Sequence, residues 1–174
     1  MDTATQTKWS VDLSHSEVGF KVKHMMISTV KGAFEKFDAS VKTEGDDFKN
    51  AKFSFTAKVD SINTKNEDRD THLKSEDFFN ADQYPDVTFK STSFDGNKLV
   101  GDLTIKEVTK EVILNTDFNG VAVDPYGQTK AGFEISGKIN RKDFGLTWNA
   151  VTEAGSIVVS DTIQFEIDLQ FIKQ

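Results

Sequence analysis

The chain has 174 residues, with 21 basic against 28 acidic side chains and a formal charge of −7, a length that suits one domain with a sizeable core. It has no cysteine, which excludes a disulfide scaffold, a thiolate zinc site and a cysteine nucleophile, and its pI near 5.0 with scattered lysines lacks the basic footprint of a nucleic-acid binder. No apolar run approaches the roughly 20 residues a membrane helix needs, yet 15 phenylalanines require burial or use.

In chain order, Met1 to Lys8 are polar and lack the apolar stretch of a secretory signal. A cytoplasmic location is therefore expected, or a periplasmic or extracellular one if a signal has been removed upstream. Period-2 alternation then dominates. Val18, Phe20, Val22 and His24 share one face, opposite Gly19, Lys21 and Lys23. Residues 25–32 break the alternation and end on a glycine, which predicts one helical turn. Phe53, Phe55, Ala57 and Val59 form the next apolar face.

Residues 66–79 read as a helix. Thr64 or Asn66 can cap it, Glu67 and Asp68 suit its first turn, and Pro85 lies where a helix cannot continue. Leu99, Leu103 and Ile105 alternate next, followed by Val112, Leu114, Thr116 and Phe118. Ala131, Phe133, Ile135, Gly137 and Ile139 form a further face, and the longest runs from Ile157 to Phe171. Turns fall at Asp95-Gly96-Asn97, at 107–110 and at Asp124-Pro125-Tyr126-Gly127.

Strands with one apolar and one polar face belong to antiparallel sheets wetted on one side. Hairpins in series, with strands this long, predict an up-and-down barrel of about eight or nine strands that closes to remove its edges. The fold class is all-β with one or two short helices, one of them capping or flanking the barrel. One domain is expected over residues 1–174, with its core from about residue 9. Such a barrel either fills itself with side chains or holds one small ligand.

Few residues carry a chemical signature. The three histidines, His15, His24 and His72, lack the spacing that would put two on one metal, so no metal is expected. No nucleophile elbow or glycine-rich phosphate loop is present. His24 points inward by parity, as a core histidine or a ligand contact. Arg69 and His72 lie in the dense polar run 67–73, which packs a barrel end or binds the polar head of something inside. The inward rings are unusually uniform for a filled barrel, which needs mixed sizes, and smooth rings suit a hydrocarbon chain.

Longer motifs carry a resemblance. The opening Trp9-x-Val11-Asp12, with His15-Ser16 and Val18-x-Phe20-x-Val22-x-His24, is similar to the start of the YceI-like family. So are Ile62-Asn63-Thr64, Arg69-Asp70-Thr71-His72-Leu73, Phe78-Phe79, Tyr84-Pro85, Gly101-x-Leu103-Thr104-Ile105 and Val108-Thr109-Lys110. The stretch Asn140-Arg141-Lys142-Asp143-Phe144-Gly145-Leu146-x-Trp148 completes the set. Two departures stand out: many members carry a signal peptide, and the family's glycine before Val108 is Glu107 here.

The resemblance implies a lipocalin-like, eight-stranded antiparallel barrel that binds polyisoprenoid chains or related long-chain amphiphiles. The expectation is a carrier or sequestering protein and not an enzyme. It has no cofactor beyond a bound isoprenoid or fatty-chain lipid, no nucleic-acid partner and no integral membrane segment, and a homodimer is compatible with it. Phe20, Phe55, Phe89, Phe133, Phe144, Trp148 and Phe165 are expected to line the tunnel, and His24, Arg69 and His72 to meet the head group. Two alternatives remain: an enzyme acting on an apolar substrate with His24 or His72 as general base, and a solid-core structural or stress-response protein.

Overall fold

The computed structural model describes residues 6–25, 27–45, 47–147 and 159–174. Among these residues lie eleven strand segments and one α-helix: β1 (Gln6–Val11), β2 (Glu17–His24), β3 (Ser28–Phe34), β4 (Phe37–Glu44), β5 (Asp47–Lys58), β6 (Ile62–Asn63), α1 (Glu67–Lys74), β7 (Asp86–Phe94), β8 (Lys98–Ile105), β9 (Val108–Val123), β10 (Thr129–Asn140) and β11 (Val159–Lys173). Pairing is antiparallel throughout. The ring β1-β4-β5-β7-β8-β9-β10-β11 closes because β1 pairs with both β4 and β11. This is the expected closed eight-stranded antiparallel barrel.

Two of the walls are bent strands. A 3-10 turn at Leu13–His15 separates β1 from β2, yet β2 continues along β11, with Phe20 opposite Phe165 and Val18 opposite Ile167. Likewise β3 pairs with β2 and runs on into β4, which pairs with β1 and β5. The short β6 clips onto β3 at Phe34 and Ile62. Residues 25–32 therefore do not form the expected helical turn. β3 runs from Ser28 and pairs with β2 as a hairpin, with Met25 at φ 52° and the Ile27 amide bonding the His24 carbonyl at 3.2 Å.

The barrel is filled at one end. Trp9, Phe48, Phe53, Phe94, Phe133 and Phe171 are all buried there, and their rings lie 4.9–6.4 Å apart. Phe118 stacks on Phe133 at 4.9 Å. Tilted and edge-on ring contacts of this kind add to the burial energy. Trp9 Nε1 donates to Thr43 Oγ1 at 3.0 Å, so the one polar atom of that indole is satisfied. Interior glycines make room for the rings: a Cβ on Gly101 would stand 2.5 Å from Phe89 Cζ.

The opposite end carries the hairpin tip, β6, α1 and the 3-10 turn Arg141–Phe144. Asn66 caps α1 by accepting the Arg69 amide at 3.0 Å, with Glu67, Asp68 and Asp70 in the first turn. The helix is shorter than the expected 66–79. Ser75 turns extended and gives both its amide and its hydroxyl to the His72 carbonyl, at 3.1 and 2.6 Å, which ends the helix after Lys74. Among the described residues no helix is long and apolar enough to cross a membrane.

Candidate ligand-binding site

The inward faces of β2, β5, β7, β8, β10 and β11 do not meet at the α1 end. They enclose a cavity of about 530 Å³. Its walls are apolar because strand parity sends Val18, Phe20 and Val22, Phe53 and Phe55, Leu99 and Leu103, Ile135 and Ile139, and Ile163, Phe165 and Ile167 the same way. Phe171, Leu169 and Leu114 extend this lining towards the filled end, and Leu73, Phe78 and Phe79 contribute from α1 and the turns that follow it. The solid-core alternative therefore holds for the plugged end alone, and the α1 end is hollow.

Polar groups reach this cavity from a few elements. Arg69 projects from the first turn of α1. Its Nε donates to Thr64 Oγ1 at 2.8 Å and its Nη2 to the Thr64 carbonyl at 2.7 Å. Thr64 in turn donates its hydroxyl to Asp70 Oδ1 at 2.5 Å, and Asp70 Oδ1 also accepts the Thr64 amide. This closed set fixes the guanidinium plane at the cavity wall and leaves Nη1 without a protein acceptor among the described residues. Asn66, Thr64 and Asp68 line the same rim.

His24 lines the cavity at the far end of β2, half-buried, with no hydrogen bond from its ring among the described residues. His72 also lines it, but Nε2 lies 2.8 Å from Asp77 Oδ2 and its ring stands edge-on to Phe78 at 5.2 Å. The third histidine, His15, belongs to another cluster. Its Nδ1 faces both Asp12 Oδ2 at 2.9 Å and the Ser14 hydroxyl at 3.1 Å. A single ring nitrogen cannot both take the serine proton and be oriented by the carboxylate, so this is not a nucleophile–base pair.

The residues expected to line the tunnel divide. Phe20, Phe55, Phe89 and Phe165 face the cavity, as do all three expected head-group residues, His24, Arg69 and His72. Phe133 does not: it is buried in the ring cluster of the filled end, beside Phe48, Phe53, Phe118 and Phe171. Phe144 is buried in the 3-10 turn after β10, off the cavity wall. Trp148 lies outside the described residues.

A buried cation also reaches the cavity. Arg141 is 1% exposed and lines the cavity. Its Nη1 donates to the Leu146 carbonyl at 2.6 Å, its Nε to the Ser160 carbonyl at 3.0 Å, and its Nη2 reaches Val159 O at 3.4 Å. Burial pushes its pKa down while Asp161 pushes it up, and an arginine keeps its proton in either case. The guanidinium thus ties the turn after β10 to the start of β11. The signal was in the sequence, since the alternation that carries Ile135 and Ile139 inward carries Arg141 as well.

Residues 9–171 match the YceI-like domain. The chain belongs to the YceI-like family. A UPF0312 protein of Staphylococcus aureus strain N315 is 42% identical over 166 residues, which are 95% of this chain and 97% of that one. A YceI protein of Campylobacter jejuni superposes with a TM-score of 0.74 at 36% identity, covering 100% of this chain and 99% of its own. A polyisoprenoid-binding domain from Saccharophagus degradans shares the fold at 15% identity, with a TM-score of 0.68 over 95% of this chain and 98% of that domain. The YceI-like barrel is therefore common to proteins whose side chains differ widely.

Proposed function

We propose that the barrel binds one long apolar chain, a polyisoprenoid or similar amphiphilic lipid, and carries or sequesters it without chemical change. The observation that carries this reading is the cavity itself. A volume of about 530 Å³ falls within the roughly 300–1,000 Å³ of small-molecule sites, and apolar walls with a few placed polar groups are what such sites use. Membership of the YceI-like family and a fold shared with a polyisoprenoid-binding domain support the ligand class.

The tail lies along Phe20, Phe55, Phe89 and Phe165, and the head stays at the rim among Arg69, His24, His72 and Asn66. A ligand burying about 20 heavy atoms at about 0.3 kcal/mol each gains about 6 kcal/mol, a dissociation constant of tens of micromolar. Contacts to Arg69 Nη1 or a longer tail tighten this. The charge of −7 opposes an anionic head at long range, but screening over about 10 Å makes the local guanidinium decisive.

The test is to purify the protein without detergent, weigh it undenatured, extract it with organic solvent and then offer it geranylgeraniol. A co-purified lipid or a one-to-one adduct is the expected result. A protein that emerges empty and takes up no prenol contradicts the reading.

A further inference from the structure

The stretch from Val18 to Phe34 contains three lysines and no acidic residue, in a chain with 28 acids. It folds as the β2–β3 hairpin, and the ladder sorts its side chains by face. The inner face, with Phe20, Val22, His24 and Val30, lines the cavity. The outer face carries Lys21 directly opposite Lys31, and Lys23, opposite Thr29, stands where that face meets the cavity rim. The tip is apolar and open: Ile27 is 80% exposed and Met25 37%.

Neither feature is explained by folding. Two lysines directly opposite each other repel, and an isoleucine in water at a turn gains nothing from burial. Among the described residues one acid answers them: Glu166 on β11 bonds Lys21 at 2.7 Å and lies within electrostatic reach of Lys31. Among the described residues Lys23 bonds the Thr29 hydroxyl, at 3.1 Å, and makes no ion pair. Asp68 of α1 shares the cavity rim but no ion pair with these lysines. An apolar tip flanked by cations is the pattern of an element that dips into an anionic lipid surface.

We propose that the β2–β3 hairpin docks the protein on anionic bilayers. Met25 and Ile27 enter the headgroup boundary, Lys21, Lys23 and Lys31 meet lipid phosphates, and the cavity rim is brought against the acyl layer. This rests on the lipid-binding reading above and gives it a route, because the strand that inserts at its tip is also a wall of the cavity. An apolar chain can then pass between bilayer and barrel without crossing water, where exposing each buried CH₂ is unfavourable.

Vesicle flotation tests it, with phosphatidylcholine vesicles compared with phosphatidylcholine mixed with phosphatidylglycerol. The wild-type chain is expected to float with the mixed vesicles and not with phosphatidylcholine alone, and to be released by salt. Each lysine near such a surface contributes about fivefold in affinity, so Lys31→Glu, which puts repulsion in place of attraction, is expected to lose well over fivefold, and Ile27→Glu a comparable factor. Both variants are exposed-site changes and are expected to keep wild-type thermal unfolding and wild-type geranylgeraniol binding in vesicle-free solution. Wild-type protein that stays unbound, or variants that float as well as wild type, overturn the docking. Flotation by wild type that the variants lose upholds the docking even where geranylgeraniol binding in solution is absent, and in that case the carrier reading is the one that fails.

Discussion

Gly32 and Phe20 face each other across the β2–β3 ladder, and a Cβ on Gly32 would stand 2.5 Å from Cζ of the Phe20 ring. The backbone at Gly32 is ordinary extended strand, so the glycine is there for space and not for conformation. It leaves room for the ring against β3, on the wall of the cavity. Gly101 plays the same part for Phe89, with one difference: a Cβ there also meets the Lys90 carbonyl oxygen at 2.4 Å.

The two glycines should therefore respond differently. In Gly32→Ala the added methyl meets ring and methyl tips, and Phe20 can swing towards the cavity. Stability should fall by only about 1 kcal/mol, while prenol affinity falls severalfold. In Gly101→Ala the obstacle is backbone, which cannot move without breaking the β7–β8 ladder, and the loss should reach about 2–3 kcal/mol. Urea unfolding and prenol titration of both variants separate the cases.

Phe133 and Phe165 lie on neighbouring strands, yet they should fail in different assays. Phe133→Ala opens a void in the packed ring cluster and should cost about 3–5 kcal/mol, with ligand affinity little changed at temperatures where the variant is folded. Phe165→Ala removes a ring from the cavity wall. It should cost about tenfold in affinity and much less in stability, because that ring is only half-buried.

Arg141 makes a prediction about geometry. Three carbonyls from two segments converge on one planar guanidinium, and an ammonium cannot satisfy all of them at those positions. Arg141→Lys should therefore destabilise by about 2–4 kcal/mol, read as a lower urea midpoint, despite the unchanged charge.

Acid should weaken the junction at the filled end. Lys130 bridges Asp12 Oδ2 at 3.0 Å and Asp124 Oδ2 at 3.3 Å, tying the end of β1 to the β9–β10 turn. Burial alone would raise the Asp12 pKa, but bonds from Ser14, Lys130 and His15 outweigh it and hold it far below the usual carboxylate range. Asp124 is also lowered, by the Gln128 amide first, against a smaller opposing push from burial and with further help from Tyr126 and Lys130. A carboxylate with a depressed folded pKa contributes stability that is full above its unfolded value near 4 and is lost as pH falls towards the folded one. The melting temperature should hold down to about pH 5 and fall steadily below pH 4. Lys130→Met should lower it at pH 7 and flatten the acid slope.

How much of this was legible depends on what strand parity can report. Parity decides which face a residue takes, so Phe20, Phe55 and Phe165 were readable as inward, and the turns at Asp95-Gly96 and Asp124–Gly127 followed from composition. It does not give height along the barrel axis, which depends on register between strands distant in sequence. Phe133 is inward by parity and still belongs to the plug, because β10 brings it level with Phe48 and Phe171. The β2–β3 tip is not announced in the sequence, because Met25 takes a left-handed backbone where a glycine or asparagine would be the usual signal. The rim around Arg69 was named from its donors and its motif, and its partner Thr64 became visible only once β6 and α1 were placed together.

On the proposed function, the ligand tail lies in the hollow end of the barrel. A crystal structure of the protein soaked with geranylgeraniol tests it most directly. Elongated density is expected to run from the rim at Arg69 and His24, between Phe20, Phe55, Phe89 and Phe165, towards Leu114. Ligand density on the outer surface with only water inside the barrel would contradict it.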